Sequence, residues 1–395
     1  MAADRVIRAG SWRRLPPTGD PISAAERSAA RADLDPADSL CSGLRRELGV
    51  EEIHLFASGR AALRDLLVWL AARSGRREVV VPAYCCFSVP AAAVAAGLRV
   101  RLVDVDARGA IDAGRLAALP LENAAALVVA NLFGIAEPIE PLRALAQRAG
   151  VALIDDAAQT LGAESSEGRV GARGDVGLLS FGRGKPLSGL GGGALAWPRR
   201  PQGFPAPGIP APARRTAQLR ALAYGAALRP EIFRWLAALP GLHVGETRFD
   251  PSFATGPIDG ASLVLCAARF PRIGVLAKAR AARAKALAAL LREHTRFTPI
   301  LAPPGARGVY PRLAVLAPDR ATRTAALARL ASAGVGASGF YPSALGEIAA
   351  LRSFLEGASQ QPGAEDLAGR ILTLPTHAGA DEPTRTRITS LLSKA

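Results

Sequence analysis

The chain has 395 residues, 49% of them apolar, which excludes a disordered chain and is long enough for two domains. Its 49 Lys and Arg against 34 Asp and Glu give a charge of +15, which suits an anionic partner. The arginines are scattered and aromatic residues make up only 5%, so a nucleic-acid partner is not expected.

In chain order, residues 1–50 form a polar, proline-spotted and partly helical N-terminal segment. From there strands and helices alternate. A helix is expected over 60–73 and strands over 79–82, 100–105, 125–130, 151–155, 176–181 and 194–197, with helices over 88–97 and 138–149, the latter stopped by Gly150. The strands are almost continuously apolar, the mark of a parallel sheet covered on both faces. The run 198–215 is too rich in proline for helix or sheet and is expected to be an insertion near the end of the large domain. A helix over 216–239 follows. The remainder reads as a long helix over 261–294, strands at 310–316, 337–341 and 371–374, and helices over 320–333 and 382–393. The expected fold is therefore α/β, with a large domain over 51–250 and a smaller C-terminal α/β domain over 251–395.

The four cysteines, Cys41, Cys85, Cys86 and Cys266, have neither zinc nor disulfide spacing, and no metal site is expected. The opening Met-Ala-Ala-Asp-Arg starts no apolar leader, and no apolar run reaches the ~20 residues of a membrane span. A cytoplasmic location without a membrane partner is the expectation.

Arginine carries nearly all the positive charge; the only lysines are Lys185, Lys278, Lys285 and Lys394. Lys185 alone follows an apolar strand in a glycine-rich loop, Ser-Phe-Gly-Arg-Gly-Lys. An amine can attack a carbonyl, whereas a guanidinium cannot. Two further segments belong on the same parallel sheet, and if the strands before Asp156 and Lys185 are parallel these two emerge on one edge of it. Ser58-Gly59-Arg60 opens a helix whose N-terminus can hold a phosphate. Asp155-Asp156 closes the strand over 151–155, where an open α/β sheet places ligand-binding side chains. Taken singly, Lys185 is also a solvated loop lysine, Ser58 an ordinary cap and Asp156 an ordinary N-cap. Together they match what pyridoxal phosphate needs: an amine for its aldehyde, an acid for its ring nitrogen and a phosphate cradle. Competing motifs fail. Gly184-Lys185 is followed by Pro186, so there is no P-loop, and the glycines at 189–193 precede a strand instead of following one. The histidines (His54, His243, His294, His377) are far apart, and no Gly-x-Ser-x-Gly elbow supports a hydrolytic triad.

From about residue 50 onward the chain resembles the DegT/DnrJ/StrS family of sugar aminotransferases, fold type I enzymes that use pyridoxal phosphate. Seven segments carry the resemblance in the family's order: Ser58–Leu63, Val80–Tyr84, Val103–Asp106, Ile154–Gln159, Gly171–Asp175 with Leu179-Ser180-Phe181, Gly339–Pro342 and Ile371–His377. The resemblance implies a Schiff-base role for Lys185 and contact of Asp156 with the ring nitrogen. It further implies that Gln159 lies on the ring hydroxyl side and that Ser58, Gly59, Arg60 and Ser180 hold the phosphate. It implies a homodimer that moves an amino group from glutamate or glutamine onto a keto-sugar linked to a nucleotide. A fold type I enzyme acting on a non-sugar ketone, or a non-catalytic descendant, are the alternative expectations. Departures from the pattern mark a divergent member. Cys86 stands at the ring-stacking position, Arg60 replaces a threonine, and Gly-Leu-Gly-Gly-Gly occupies 189–193. The family's Asn-x-Arg is missing around Thr255-Gly256-Pro257. Arg60 is expected to take over phosphate binding from the missing groups.

Overall fold

A computed structural model describes residues 13–239, 248–357 and 360–395. The opening residues read above for a leader, and His243, lie outside the described residues.

Among the described residues there are twelve strands: β1 (Glu52–Phe56), β2 (Glu78–Pro82), β3 (Arg99–Val103), β4 (Ala124–Ala130), β5 (Ala152–Asp156), β6 (Glu164–Ser165), β7 (Gly168–Arg169), β8 (Val176–Ser180), β9 (Gly193–Trp197), β10 (Thr298–Pro299), β11 (Arg312–Leu316) and β12 (Ile371–Pro375). Seven make one sheet in the order β1-β9-β8-β5-β4-β2-β3. Strands β3, β2, β4, β5 and β8 are mutually parallel, whereas β9 runs antiparallel to both β8 and β1. Two reversals restore the direction, so β1 ends on the same edge as β4, β5 and β8. The register aligns Ala130 with Asp156, and Gly193 with both Ser180 and Phe56. The expected mostly parallel sheet covered by helices is the observed one, and β2 and β4 are buried along their whole length.

The C-terminal part builds a three-stranded antiparallel sheet, β10-β11-β12, packed by the helices Ile273–His294, Arg320–Ser332 and Glu382–Leu392. One hydrophobic cluster runs from Leu66 and Val81 under the large sheet to Leu313, Leu372 and Leu374. Leu345 N donates to Ala83 O, and Gly363 N and Ala364 N donate to the Asp104 carboxylate, so backbone bonds also cross between the two sheets.

Proline explains most differences from the expected elements. The helix expected over 261–294 is broken by a 3₁₀ turn at Phe270–Arg272, which contains Pro271. The one expected over 216–239 divides into Arg214–Ala227 and Pro230–Ala238. The strand expected at 337–341 is reduced to one bridge, Ser338 to Thr373, because Phe340 takes φ +62° and Pro342 follows. β1, the β6–β7 hairpin, β10 and the helices Ala113–Ala117 and Pro362–Arg370 were not expected. The start of the proline-rich run is anchored: His54 stacks on Phe204 at 5.4 Å, and Trp69 Nε1 donates to Gly203 O at 3.2 Å. Gly260–His294 is long and apolar enough by composition to cross a bilayer, but 56% of that window is buried inside the fold.

Residues 13–22 are not a detached arm. Asp20 pairs with Arg280 at 2.5 Å, and the His377 ring hydrogen-bonds Pro16 O at 2.9 Å. Thr18 Oγ1 donates to Pro311 O, and a Cβ at Gly184 would meet Thr18 at 2.6 Å. This segment therefore lies against the loop that carries Lys185.

Candidate active site

Ser58, Gly59, Arg60, Cys86, Asp156, Gln159, Ser180 and Lys185 line one cleft of about 220 Å³ at the carboxyl edge of the large sheet. A second cleft of about 150 Å³ toward the smaller sheet shares Cys86, Gln159 and Lys185 with it. The two are contiguous and are built from elements that reach from Ser58 to Thr373 along the chain.

At one end, Ser58 Oγ caps the helix Gly59–Ser74 by accepting from Ala61 N at 3.0 Å. The first-turn amides of Gly59 and Arg60 have no intrahelical acceptor, which makes this end an anion site in waiting. Ser180 ends β8 beside it: a Cβ on Gly59 would lie 3.0 Å from Ser180 Cβ and Leu179 O. Across the turn, a Cβ on Gly193 would stand 2.2 Å from Gly59 N. Glycine at both positions is therefore a packing requirement of the cradle, and it accounts for the end of the 189–193 run. Arg60 lines the cleft, and its guanidinium donates to Asp250 O at 3.1 Å and covers the Phe253 ring at 4.4 Å.

At the other end, β5 alternates its two acids. Asp155 points away from the cleft into a buried network. It accepts from Gly171 N and from the Arg173 guanidinium at 2.9 Å, and from Asn131 Nδ2 at 2.8 Å. Asp156, one residue on, faces the cleft. Its Oδ1 accepts from Ala158 N at 2.9 Å. Burial pushes its carboxyl up to about 6; the Ala158 amide and the charge of Lys185 pull in the opposite direction. Lys185 lines the same cleft without ion-pairing to Asp156, so the space between amine and carboxylate is open to a third group. Pyridoxal phosphate fits this set: a phosphate at the Ser58–Arg60 turn and Ser180, a ring nitrogen at Asp156, an aldehyde at Lys185.

Cys86 lines both clefts, while Phe87 turns inward and stacks on Tyr341 at 6.1 Å. The residue that faces the site after β2 is thus the cysteine, a polarizable but small surface for a ring. Gln159 accepts from Phe133 N at 3.3 Å and donates to the Tyr341 hydroxyl at 2.8 Å.

Asn131, Tyr341, Arg312 and Thr373 also line the two clefts and were not singled out from the sequence. Asn131 follows β4 on the same carboxyl edge as Asp156, so the rule that located Asp156 also points to it. Tyr341, Arg312 and Thr373 come from the C-terminal part of the chain; Tyr341 and Thr373 lie in segments that carried the resemblance but were given no role, and Arg312 lies in none. A separate cleft of about 120 Å³, lined by Asp106, Arg108 and Glu137, adjoins at Phe133. Among the described residues no cluster of His, Cys, Asp and Glu could hold a metal ion.

Known proteins resemble this chain in sequence and in fold. The L-glutamine:2-deoxy-scyllo-inosose aminotransferase of Streptoalloteichus tenebrarius is 33% identical over 196 residues, covering 49% of this chain and 43% of that protein. The UDP-N-acetyl-3-dehydro-alpha-D-glucosamine 3-aminotransferase of Acidithiobacillus ferrooxidans is 33% identical over 140 residues, covering 35% of this chain and 38% of that protein. The chain thus spans less than half the length of these curated relatives. In three dimensions the whole chain resembles Helicobacter pylori PseC, an aminotransferase of pseudoaminic acid biosynthesis, with TM-score 0.76 and 16% identity over 97% of this chain and 99% of that one. It also resembles 3-amino-5-hydroxybenzoic acid synthase, with TM-score 0.74 and 20% identity over 96% and 99% of the two chains. These likenesses establish the fold, that of the type I pyridoxal phosphate enzymes. The family profile matches residues 37–198 and 261–393, and the chain belongs to the DegT/DnrJ/EryC1/StrS aminotransferase family.

Proposed function

We propose that the chain is a pyridoxal phosphate-dependent aminotransferase that moves an amino group from glutamate or glutamine onto a keto-sugar, nucleotide-linked, and that it acts as a homodimer. One observation carries the reading: Lys185 and Asp156 line one cleft without neutralising each other, and the Ser58 helix cap and Ser180 close its end. The names of the relatives support the substrate class, and a charge of +15 suits an anionic sugar nucleotide.

When bound, pyridoxal phosphate supplies an aldehyde that condenses with amines and a protonated ring that withdraws electrons from the adjoining carbon. The chain's residues would do the rest. Asp156 carries the negative charge that keeps a proton on the ring nitrogen, and its burial makes that charge effective at short range. The Gly59 and Arg60 amides, Ser58 and Ser180 hold the phosphate. Gln159, fixed by Phe133 and Tyr341, orients the ring's hydroxyl side. Lys185 takes a proton from the substrate carbon that bears the amine and later returns it. The complete Lys185, Asp156 and Gln159 set speaks against a non-catalytic descendant.

The test is direct. Purified protein supplied with pyridoxal phosphate turns yellow, borohydride fixes the cofactor's mass to the peptide containing Lys185, and Lys185→Ala shows neither. Glutamate then yields 2-oxoglutarate when a keto-sugar acceptor is present. Protein that stays colourless with the cofactor overturns the proposal.

A further inference from the structure

Three arginines are buried among the described residues, and each has a carboxylate beside it. Arg173 meets Asp155 at 2.9 Å, Arg280 meets Asp20 at 2.5 Å, and Arg269 lies 3.9 Å from Glu26. Arg312 does not follow this pattern. It opens β11 directly after Pro311, and its guanidinium donates to Ser338 Oγ at 3.3 Å and lies 6.0 Å from the Phe340 ring centroid. Among the described residues no carboxylate comes within ion-pairing range of it. Burial lowers its pKa, and the nearby charge of Arg280 acts in the same direction.

Arg312 lines the cleft of about 150 Å³ that Lys185 also lines. The lining holds three cations, Arg183, Lys185 and Arg312, and no acid. A partly buried cation without a counter-charge is costly, and a guanidinium offers a rigid pair of donors matched to a carboxylate. The arrangement is short of one anion.

We propose that Arg312, with Arg183 at the rim, is the subsite for the α-carboxylate of the amino donor. This rests on the aminotransferase reading above. Two substrate anions compete for the assignment, the donor's carboxylate and an acceptor's phosphate. The position of Arg312 decides between them. In an amino acid the carboxylate is bonded directly to the carbon that gives up its amine, so it must sit in the same small space as Lys185. In a nucleotide-linked sugar the diphosphate is separated from a reacting ketone by several bonds of the ring. A compact cleft shared with Lys185 fits the former. Arg312 is thus a donor-recognition residue contributed by the C-terminal domain, opposite the phosphate end of the site.

The test uses the cofactor-loaded enzyme and two unreactive probes, maleate for the carboxylate and uridine diphosphate for the phosphate, with binding measured by calorimetry. Arg312→Gln is expected to weaken maleate at least tenfold and leave uridine diphosphate within twofold, while Arg312→Lys recovers part of the maleate affinity. In turnover, Arg312→Gln raises KM for the donor tenfold or more and leaves KM for the acceptor unchanged. Unaltered maleate binding overturns the assignment, as does loss of uridine diphosphate binding instead. If Arg312→Gln does not fold, as judged by melting, Arg312→Lys and Arg183→Gln decide by the same two probes. A loaded wild type that consumes no amino donor refutes the aminotransferase reading, whereas the maleate result still decides the carboxylate site.

Discussion

Gln159 donates to the Tyr341 hydroxyl at 2.8 Å, and the backbone of Tyr341 in turn exchanges hydrogen bonds with the Tyr84 hydroxyl at 3.3 Å. A residue just after β5 of the large sheet is therefore oriented by one from the C-terminal domain, which is itself fastened to the end of β2. The cleft is only as well ordered as the seating of that domain.

Tyr341→Phe tests the link. The ring packing against Tyr84, Phe87 and Phe340 survives, and only the acceptor for Gln159 disappears. A net hydrogen bond is worth about 1 kcal/mol, so stability should fall by about that much. Pyridoxal phosphate should dissociate a few-fold faster, because Gln159 is left with one partner, Phe133 N. Stopped-flow dilution of the loaded protein and a denaturant titration measure the two effects separately. A larger fall in stability with unchanged cofactor release would assign Tyr341 to packing alone.

Asp155 and Arg173 form the buried support of the site, their side chains 0% and 1% exposed. Arg173 reaches Glu137 O and Asn131 Oδ1 as well as Asp155, and Asn131 Nδ2 reaches Asp156 O. Removing one charge from such a pair strands the other, at a cost of about 3–5 kcal/mol. Arg173→Leu should therefore lower the denaturant midpoint sharply, and Asp155→Asn somewhat less because its amide keeps the shape. Neither touches the cleft, so any folded fraction of Asp155→Asn should still bind cofactor at Asp156. Measuring cofactor stoichiometry on the folded fraction checks this.

How far the sequence carried these conclusions depended on the range of the interaction. Six strands of the large sheet were legible as short apolar runs, whereas β1 was not expected, and the topology then sets which ends coincide. Asp156, Ser180 and Lys185 follow two neighbouring parallel strands, so their meeting in one cleft came from strand order alone. Ser58 required more luck: β1 lies at the sheet edge beyond an antiparallel strand, and only the double reversal through β9 returns it to the same side. Arg312 was not legible, and Tyr341 and Thr373 were legible only as members of the segments Gly339–Pro342 and Ile371–His377, without a role. They sit in ordinary apolar or turn surroundings, and their function depends on how one domain docks on the other. Alternation along a strand says that Asp155 and Asp156 differ but not which faces the ligand; the resemblance chose Asp156, and only the structure shows that Asp155 holds the buried network with Arg173. The strand expected at 337–341 failed because a left-handed Phe340 cannot be inferred from its composition.

Arg60→Ala tests whether the arginine at the position where the resemblance implies a threonine holds the phosphate. Its guanidinium is now placed on Asp250 O and the Phe253 ring, close to the free helix amides. A charged hydrogen bond is worth about 1.5–3 kcal/mol, so the affinity for pyridoxal phosphate should drop roughly 10- to 100-fold if the side chain swings to the phosphate. Equilibrium dialysis with the cofactor, and with inorganic phosphate as competitor, measures it. Affinity equal to wild type would leave Arg60 as a clamp on the segment around Asp250 and nothing more.

Glu137 offers a prediction in pH. It is buried, one carboxyl oxygen accepts from Ile111 N at 2.6 Å, and the other has no partner. Burial pushes its pKa up to about 8, with the negative charges of Asp106 and Asp155 adding to the rise and Ile111 N and Arg173 opposing it. The folded chain therefore keeps the proton where the unfolded chain, at the ordinary glutamate value near ~4.3, has lost it. Below that ordinary value both states are protonated and no stability is lost. Between there and about 8 the unfolded state gains by ionising, so folding stability declines as pH rises, and above about 8 both states are ionised and the decline stops. Glu137→Gln keeps the bond from Ile111 and cannot ionise. It should melt on the order of 2–5 °C above wild type near pH 8, and the gap should close toward pH 5. Melting curves of both proteins at half-unit steps of pH decide it: a gap that does not shrink on acidification would mean that the gain comes from repacking of the side chain and not from its charge.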